Sequence, residues 1–279
     1  MANQNSPFGF RAIRHATGGD STRMGRYRIA AGYATSLYDG DLVKSDGAGN
    51  IVRAVAGDAI LGIFRGCEYV SQDGSMEFRR HWAASTATLN GEPIYAKVMD
   101  DPFLVFEVMT SQTIDGSHRG KFVDMVPAGI VTALAITAPG AGYTDGSVAF
   151  SGGGGSNAAA KATFAAGALS ALALTNPGAG YTAAPTVTIN GNGAGATATA
   201  TLTMGNPYTG LSQMTIGAPG GPASQFQILD ISEVNNLAVM NVGGESVSTV
   251  GLSTGGAFSI VQVRSVKHER LGAVAGVAV

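Results

Sequence analysis

The stretch "GGGGS" at 152–156 is the one glycine run that could cradle a phosphate, and it is followed by "NAAAKATF". A phosphate-binding loop also needs a lysine and then Ser or Thr immediately after the glycines, at the start of a helix. Lys161 stands too far along and in strand-like text, so nucleotide chemistry is not expected. Asp100 and Asp101 form a carboxylate pair before Pro102, but neighbours in an extended chain point to opposite faces and cannot share a metal or substrate. Asp39 and Asp41 flank Gly40 in the same manner. His15, His81, His118 and His268 are scattered without metal-ligand spacing. His81, beside Trp82, reads as a packing or surface residue. A serine elbow needs Gly-x-Ser-x-Gly, and "GLSTGG" at 251–256 is out of register. The expectation is a protein with no catalytic residues, no cofactor and no metal.

The composition points to protein contacts. Of 279 residues, 45% are hydrophobic and only 13% charged, against roughly 25% in ordinary soluble domains. Glycine accounts for 41 residues without a strict three-residue period, which excludes collagen. A formal net charge of −2 offers nucleic acid no overall attraction. Cys67 is the single cysteine, so no disulfide forms within the chain. The opening "MANQNSPFGF" lacks the apolar core of a signal peptide, and "LGAVAGVAV" at 271–279 is too short to span a bilayer. These features predict a protein made in the cytoplasm, with neither a nucleic acid nor a membrane as partner.

The elements are short strands. From 29 to 126, runs rich in Val, Ile, Phe and Tyr alternate with Gly and Asp turns, and no run keeps a helical stripe. Similar text returns at 226–231, 237–242 and 258–266. The fold class is therefore all-β: a compact β-barrel or small sandwich, begun at 29–130 and closed by strands in 223–279. Residues 1–28, with Arg11, Arg14, Arg23, Arg26 and Arg28 against Asp20 alone, read either as a frayed terminus or as an extended arm. In the second case the arginines would pair with carboxylates on a neighbouring subunit.

Between the two blocks the chain repeats itself. "VTALAITAPGAGYTDGSVAFSGGGG…" at 131–168 aligns with "LSALALTNPGAGYTAAPTVTINGNG…" at 169–206, and a fragment of a third copy occupies 211–222. Fixed-period self-similarity predicts units that stack and cover one another's apolar faces. Pro139 and Pro177, each before glycine, are expected to stop a strand and turn the chain. Tyr143 and Tyr181 are expected to plug those turns. The region 131–222 holds just two charged residues, Asp145 and Lys161. It reads as a module inserted at an exposed loop of the body.

Taken in order, "SPFGFRAIRHATGG", "YRIAAGYATSLYDGDLVKSDGAGNIVRAV", "ILGIFRGCEYV" and "YAKVMDDPFLVFEV" resemble the decoration, or cement, proteins of tailed-bacteriophage heads. The likeness covers about 6–110 and the closing strands from 226 to 268. It implies a β-rich body on the outside of the major capsid protein lattice, assembled as a homotrimer, with an arm reaching across capsomers. Phe8, Phe10, Arg11, Arg14, Arg23 and Arg26 would then be the capsid contacts. The repeat resembles the "GxGYT…PTVTI" modules of phage fibres and virion surfaces, which adds a projecting part and a host-surface carbohydrate as a further partner. The alternatives are a tail or fibre component, or a bacterial surface adhesin.

Overall fold

Strands that bury one face alternate apolar and polar residues, and the chain sorts them accordingly into two body sheets and a module. The computed structural model describes residues 5–19, 23–232 and 259–269. One six-stranded sheet runs in the order β1 (Arg11–His15), β8 (Leu104–Met109), β18 (Ile260–Ser265), β17 (Phe226–Ser232), β9 (Phe122–Val126) and β16 (Thr215–Gly220). The other runs β2 (Gly25–Ile29), β7 (Ile94–Met99), β5 (Gly62–Val70), β3 (Leu42–Ser45) and β4 (Ile51–Arg53), while β6 (Met76–Arg79) pairs with the far half of β5. All pairings between these strands are antiparallel.

The sheets pack through their apolar faces. Leu42, Ile63 and Met99 meet Leu104, Phe106, Ile228 and Val261 in one shared core. The next residue along β5, Phe64, points the other way into a second core with Leu37, Val98 and the fully buried Trp82. Adjacent residues of one strand thus serve two cores, so β5 and β3 are buried on both sides. Strands from both ends of the body lie side by side, because β17 pairs with β9 and β18 pairs with β8. The strand expected at 237–242 and the tail at 271–279 lie outside the described residues.

Four expectations are corrected. The fold is all-β, but the body is not a closed barrel: its first sheet ends at β1 and β16, and its second at β2 and β4. The sheets of body and module are built from this one chain's own strands, and nothing in them supports the homotrimer. The described part of 1–28 does not form a separate arm, since β1 and β2 are each an edge strand of a body sheet. Phe10 is 1% exposed and stacks on Phe226 with centroids 4.9 Å apart, edge-on to Phe106. Gly9 lets the chain reach that seat: its φ is +75°, and a Cβ there would lie 2.4 Å from the Ser212 Cβ. Burial of apolar surface outcompetes an extended terminus. Finally, Pro139 and Pro177 do not stop their strands. β10 (Gly129–Ala141) and β13 (Ala168–Ala179) run through them, with Pro139 opposite Ala196 and Pro177 opposite Ala158.

The two copies do not stack in series; they close on each other. The module adds β11 (Gly146–Ser151), β12 (Ser156–Ala165), β14 (Thr186–Gly191) and β15 (Ala194–Met204). The first strand of copy one, β10, pairs with the last of copy two, β15, while β13 pairs with β12, and the middle strands β11 and β14 pair together. This exchange is a pseudo-twofold arrangement. The tyrosines obey it: the Tyr143 amide donates to the Gly167 carbonyl at 2.9 Å, and the Tyr181 amide to the Gly129 carbonyl at 3.0 Å. Each ring lies on a glycine of the other copy. A Cβ on Gly193 would sit 2.5 Å from the Tyr143 ring, and one on Gly155 would sit 2.4 Å from the Tyr181 ring. The module leaves and rejoins the body at adjacent points, where the Gly205 amide donates to the Ala128 carbonyl at 3.0 Å.

Two variants test these packings. Phe10→Ala should cost about 3–5 kcal/mol in denaturant unfolding, as for other buried phenylalanines, and half-buried Phe8→Ala far less. Equal losses would return residues 5–10 to a separate arm. Gly155→Ala should push Tyr181 from its seat at a cost of about 1–3 kcal/mol. Hydrogen exchange should then rise in β10, β13 and the Tyr181 turn while the body stays protected.

Candidate functional site

Segments distant in sequence meet where the module rejoins the body, and the meeting point is ionic. Asp41, fully buried, accepts hydrogen bonds from the Tyr38 amide at 3.0 Å and the Ser212 hydroxyl at 2.6 Å, and faces Arg53 Nε at 3.4 Å. Burial raises its carboxyl above the ordinary carboxylate value, and Arg53 and Ser212 offset part of that rise. Asp39 is held by Arg65 and Arg80, each at 2.8 Å. The Asp39 amide donates to the Gly210 carbonyl, and the Ser212 amide donates to the Asp39 carbonyl. The Phe10 amide donates to the Gly40 carbonyl. The "DGD" of 39–41 therefore ties together the N-terminal strap, β3, β5 and the strand-like return at 210–214. This is a joint, and its charged groups are turned to one another.

A second polar seam crosses the sheets at Gln225, whose amide nitrogen donates to the carbonyls of Val55 at 2.9 Å and Asp58 at 3.0 Å. Asp58 closes that turn by accepting from the Val55 amide at 2.8 Å and from Lys44 at 2.9 Å. Burial alone raises the Asp58 carboxyl, but the Val55 amide and Lys44 outweigh it and hold it below 3.8.

The sequence's chemical residues are placed as follows. Asp100 accepts from the Tyr27 hydroxyl and Asp101 faces His15 Nε2 at 3.2 Å, so the adjacent carboxylates do part to different strands. His15 Nδ1 receives the Thr17 amide at 3.2 Å and lies 2.7 Å from the Thr17 hydroxyl, which assigns the ring proton to Nε2. The order hydroxyl–imidazole–carboxylate resembles an acyl-transfer triad in outline. The Gly18 amide donates to the His15 carbonyl at 3.1 Å and closes the turn. His81 stacks on Tyr38 with centroids 5.7 Å apart. Burial pushes the Cys67 thiol up to about 12, leaving it a protonated core residue. Among the described residues, no group of three or more His, Cys, Asp or Glu is placed to hold a metal ion.

The six residues expected to contact a capsid are not brought together. Phe10 is in the core. Phe8 lies under the Arg11 guanidinium at 4.8 Å, and exposed Arg14 reaches Gln262 at 3.3 Å, both at the edge of the first sheet. Arg23 is exposed before β2. Arg26 belongs to the second sheet, where it pairs with Glu68 at 2.9 Å and covers the Tyr95 ring at 3.7 Å. Tyr143 and Tyr181 are 3% and 2% exposed, Pro139 is exposed and Pro177 half-buried. Sequence reasoning missed the ionic joint. Its only signal was two aspartates flanking a glycine; the arginines that answer them lie on other strands.

No family of known proteins, no curated protein and no solved structure matches this chain. The likeness to phage decoration proteins gains no support from these comparisons, and neither they nor the open, single-chain sheets support the virion, capsid and trimer descriptions it suggested.

The Asp58 turn gives a pH test. Because its folded carboxyl is held low, Asp58 stabilises the protein above the ordinary value of 3.8, and that contribution is lost as the pH falls through the folded value. Asp58→Asn should therefore be less stable than the parent at neutral pH, with the difference closing in acid. Parallel stability curves across that range would assign the turn's strength to packing instead.

Proposed function

We propose that this chain is a non-catalytic structural protein whose body attaches to a protein lattice and whose repeat module is held clear of that attachment. The lattice we favour, from the resemblance of 6–110 and 226–268, is the outer face of a tailed-phage head and its major capsid protein. The observation that carries the reading is the rooting of the module: β10 departs and β15 returns side by side at Ala128 and Gly205, next to the ionic joint. The joint fixes the module's base to the body, while its far strands carry small uncharged side chains outward. Thr197, Thr199 and Thr201 are exposed along β15, and Ala133, Ala135 and Thr137 along β10. Tyr143 and Tyr181 are turned inward, so a host carbohydrate on the module's strands would be held by such threonines rather than stacked on those two rings.

A protein that binds only the assembled lattice favours assembly by mass action. Heads lacking the protein should release DNA at a lower temperature than heads to which it is restored. A version with 130–204 replaced by a short glycine–serine linker should still occupy the heads. Equal release temperatures with no occupancy would overturn the reading, and occupancy of tails alone would move the protein to the tail.

A further inference from the structure

The face of the second body sheet that packs on the first through Ile63 and Met99 continues beyond that contact, and there it is open to solvent. Tyr27, Ile29, Ile94, Ala96, Val98, Cys67 and Tyr69 turn into the core below, so their neighbours along β2, β7 and β5 must turn out. The register sets those neighbours in rows. Arg28 lies opposite Tyr95, Tyr95 opposite Glu68, and Glu68 opposite Phe78, one row across four strands. Arg26 lies opposite Lys97 in the next row, and Met76 flanks Phe78 two residues away on β6. Phe78 and Met76 are 66% and 60% exposed. Large apolar side chains on an open sheet face, ringed by charge, are informative in a way that scattered ones are not.

The charges are ordered and unbalanced. Glu68 is the one carboxylate in these rows, and it takes Arg26 at 2.9 Å and Lys97 at 3.7 Å. Arg26 also covers Tyr95 at 3.7 Å, and Lys97 lies over Phe78 at 5.5 Å. Three cations against one anion leave the face positive. Holding the long side chains over rings also lowers the entropy a partner must remove on binding. Arg, Met and aromatic residues are the types enriched where proteins bury contact surface. The cations already lie over both rings, which leaves little open ring face for the base stacking that single-stranded nucleic acid uses.

We propose that this face of β2, β7, β5 and β6 is the docking surface, and that its partner is a protein surface with an apolar centre rimmed by carboxylates. The inference deepens the attachment reading above and rests on it, with Phe78 and Met76 as the apolar anchors and Arg26, Arg28 and Lys97 as the charged rim. Rim charges act through steering and weaken with salt, whereas the apolar anchors persist.

The test uses the full chain and two probes: phage heads stripped of this protein, and an immobilised random copolymer of glutamate and tyrosine. The variants are Phe78→Ser, the double variant Arg26→Glu with Lys97→Glu, and Arg28→Glu, with Lys161→Glu on the module as control. Each is matched to the parent by circular dichroism and melting, and exposed Arg28→Glu keeps the test available if another variant unfolds. The face variants should weaken binding about tenfold or more, as truncation of interface anchors does, and the control should not. Weaker binding of the face variants to heads supports the docking surface. Heads that bind parent and face variants equally overturn it, whatever the copolymer does, and leave the attachment reading standing. Copolymer binding lost in the variants while heads bind nothing upholds the face and removes the capsid. Tighter binding to oligo(dT) than to the copolymer would make the partner a nucleic acid and overturn the proposal.

Discussion

A carboxylate with no exposure must be given donors, and in this chain that requirement brings together parts that are far apart in sequence. Asp41 takes its hydrogen bonds from Tyr38 beside it and from Ser212 at the end of the module's return, with Arg53 alongside. Removing one member leaves another charge or hydroxyl buried without its partner, which costs far more than the net worth of the cluster. The contact therefore acts less as a source of stability than as a selector of one arrangement. Only when 210–214 runs beside 39–41 does the buried Asp41 carboxylate receive the Ser212 hydroxyl. That placement also positions Ser212 against Gly9, which needs its missing side chain to let the strap pass, and so admits Phe10 to the core.

The module solves a different problem. A segment of alanine, glycine and threonine has little bulk to bury, and two such copies could not each form a core alone. Exchange of first and last strands lets each copy complete the other, and the two tyrosines supply most of the buried bulk at the ends. Glycines 155 and 193 are required there because the rings occupy the space of a Cβ. Small side chains outside follow from the same economy. Threonine pairs such as Thr137 with Thr197, 2.7 Å apart, satisfy their hydroxyls on the strand surface.

Body and module therefore differ in how they present themselves. The body's exposed sheet holds its guanidinium and ammonium groups over aromatic rings, and the module shows small neutral groups. The division is one of side-chain chemistry rather than of backbone, since both are antiparallel sheets, and it is what the proposed attachment would use. The ionic joint between them is what makes the difference directional.

The sequence by itself determined the all-β class, the presence and phase of the repeat, and the separation of Asp100 from Asp101, because each follows from local periodicity. Tertiary structure alone decided that Phe10 is core and not an anchor, that the copies close in a pair and do not stack, that β1 and β2 belong to opposite sheets, and that the body stays open. The same holds for Arg53, Arg65 and Arg80 converging on "DGD", and for Phe78 and Met76 standing outward beside Lys97. The reason is common to all of these. Which face of a strand is buried, and which charge answers a carboxylate, depends on what lies across the sheet, and in an antiparallel fold that neighbour is usually set by residues far along the chain.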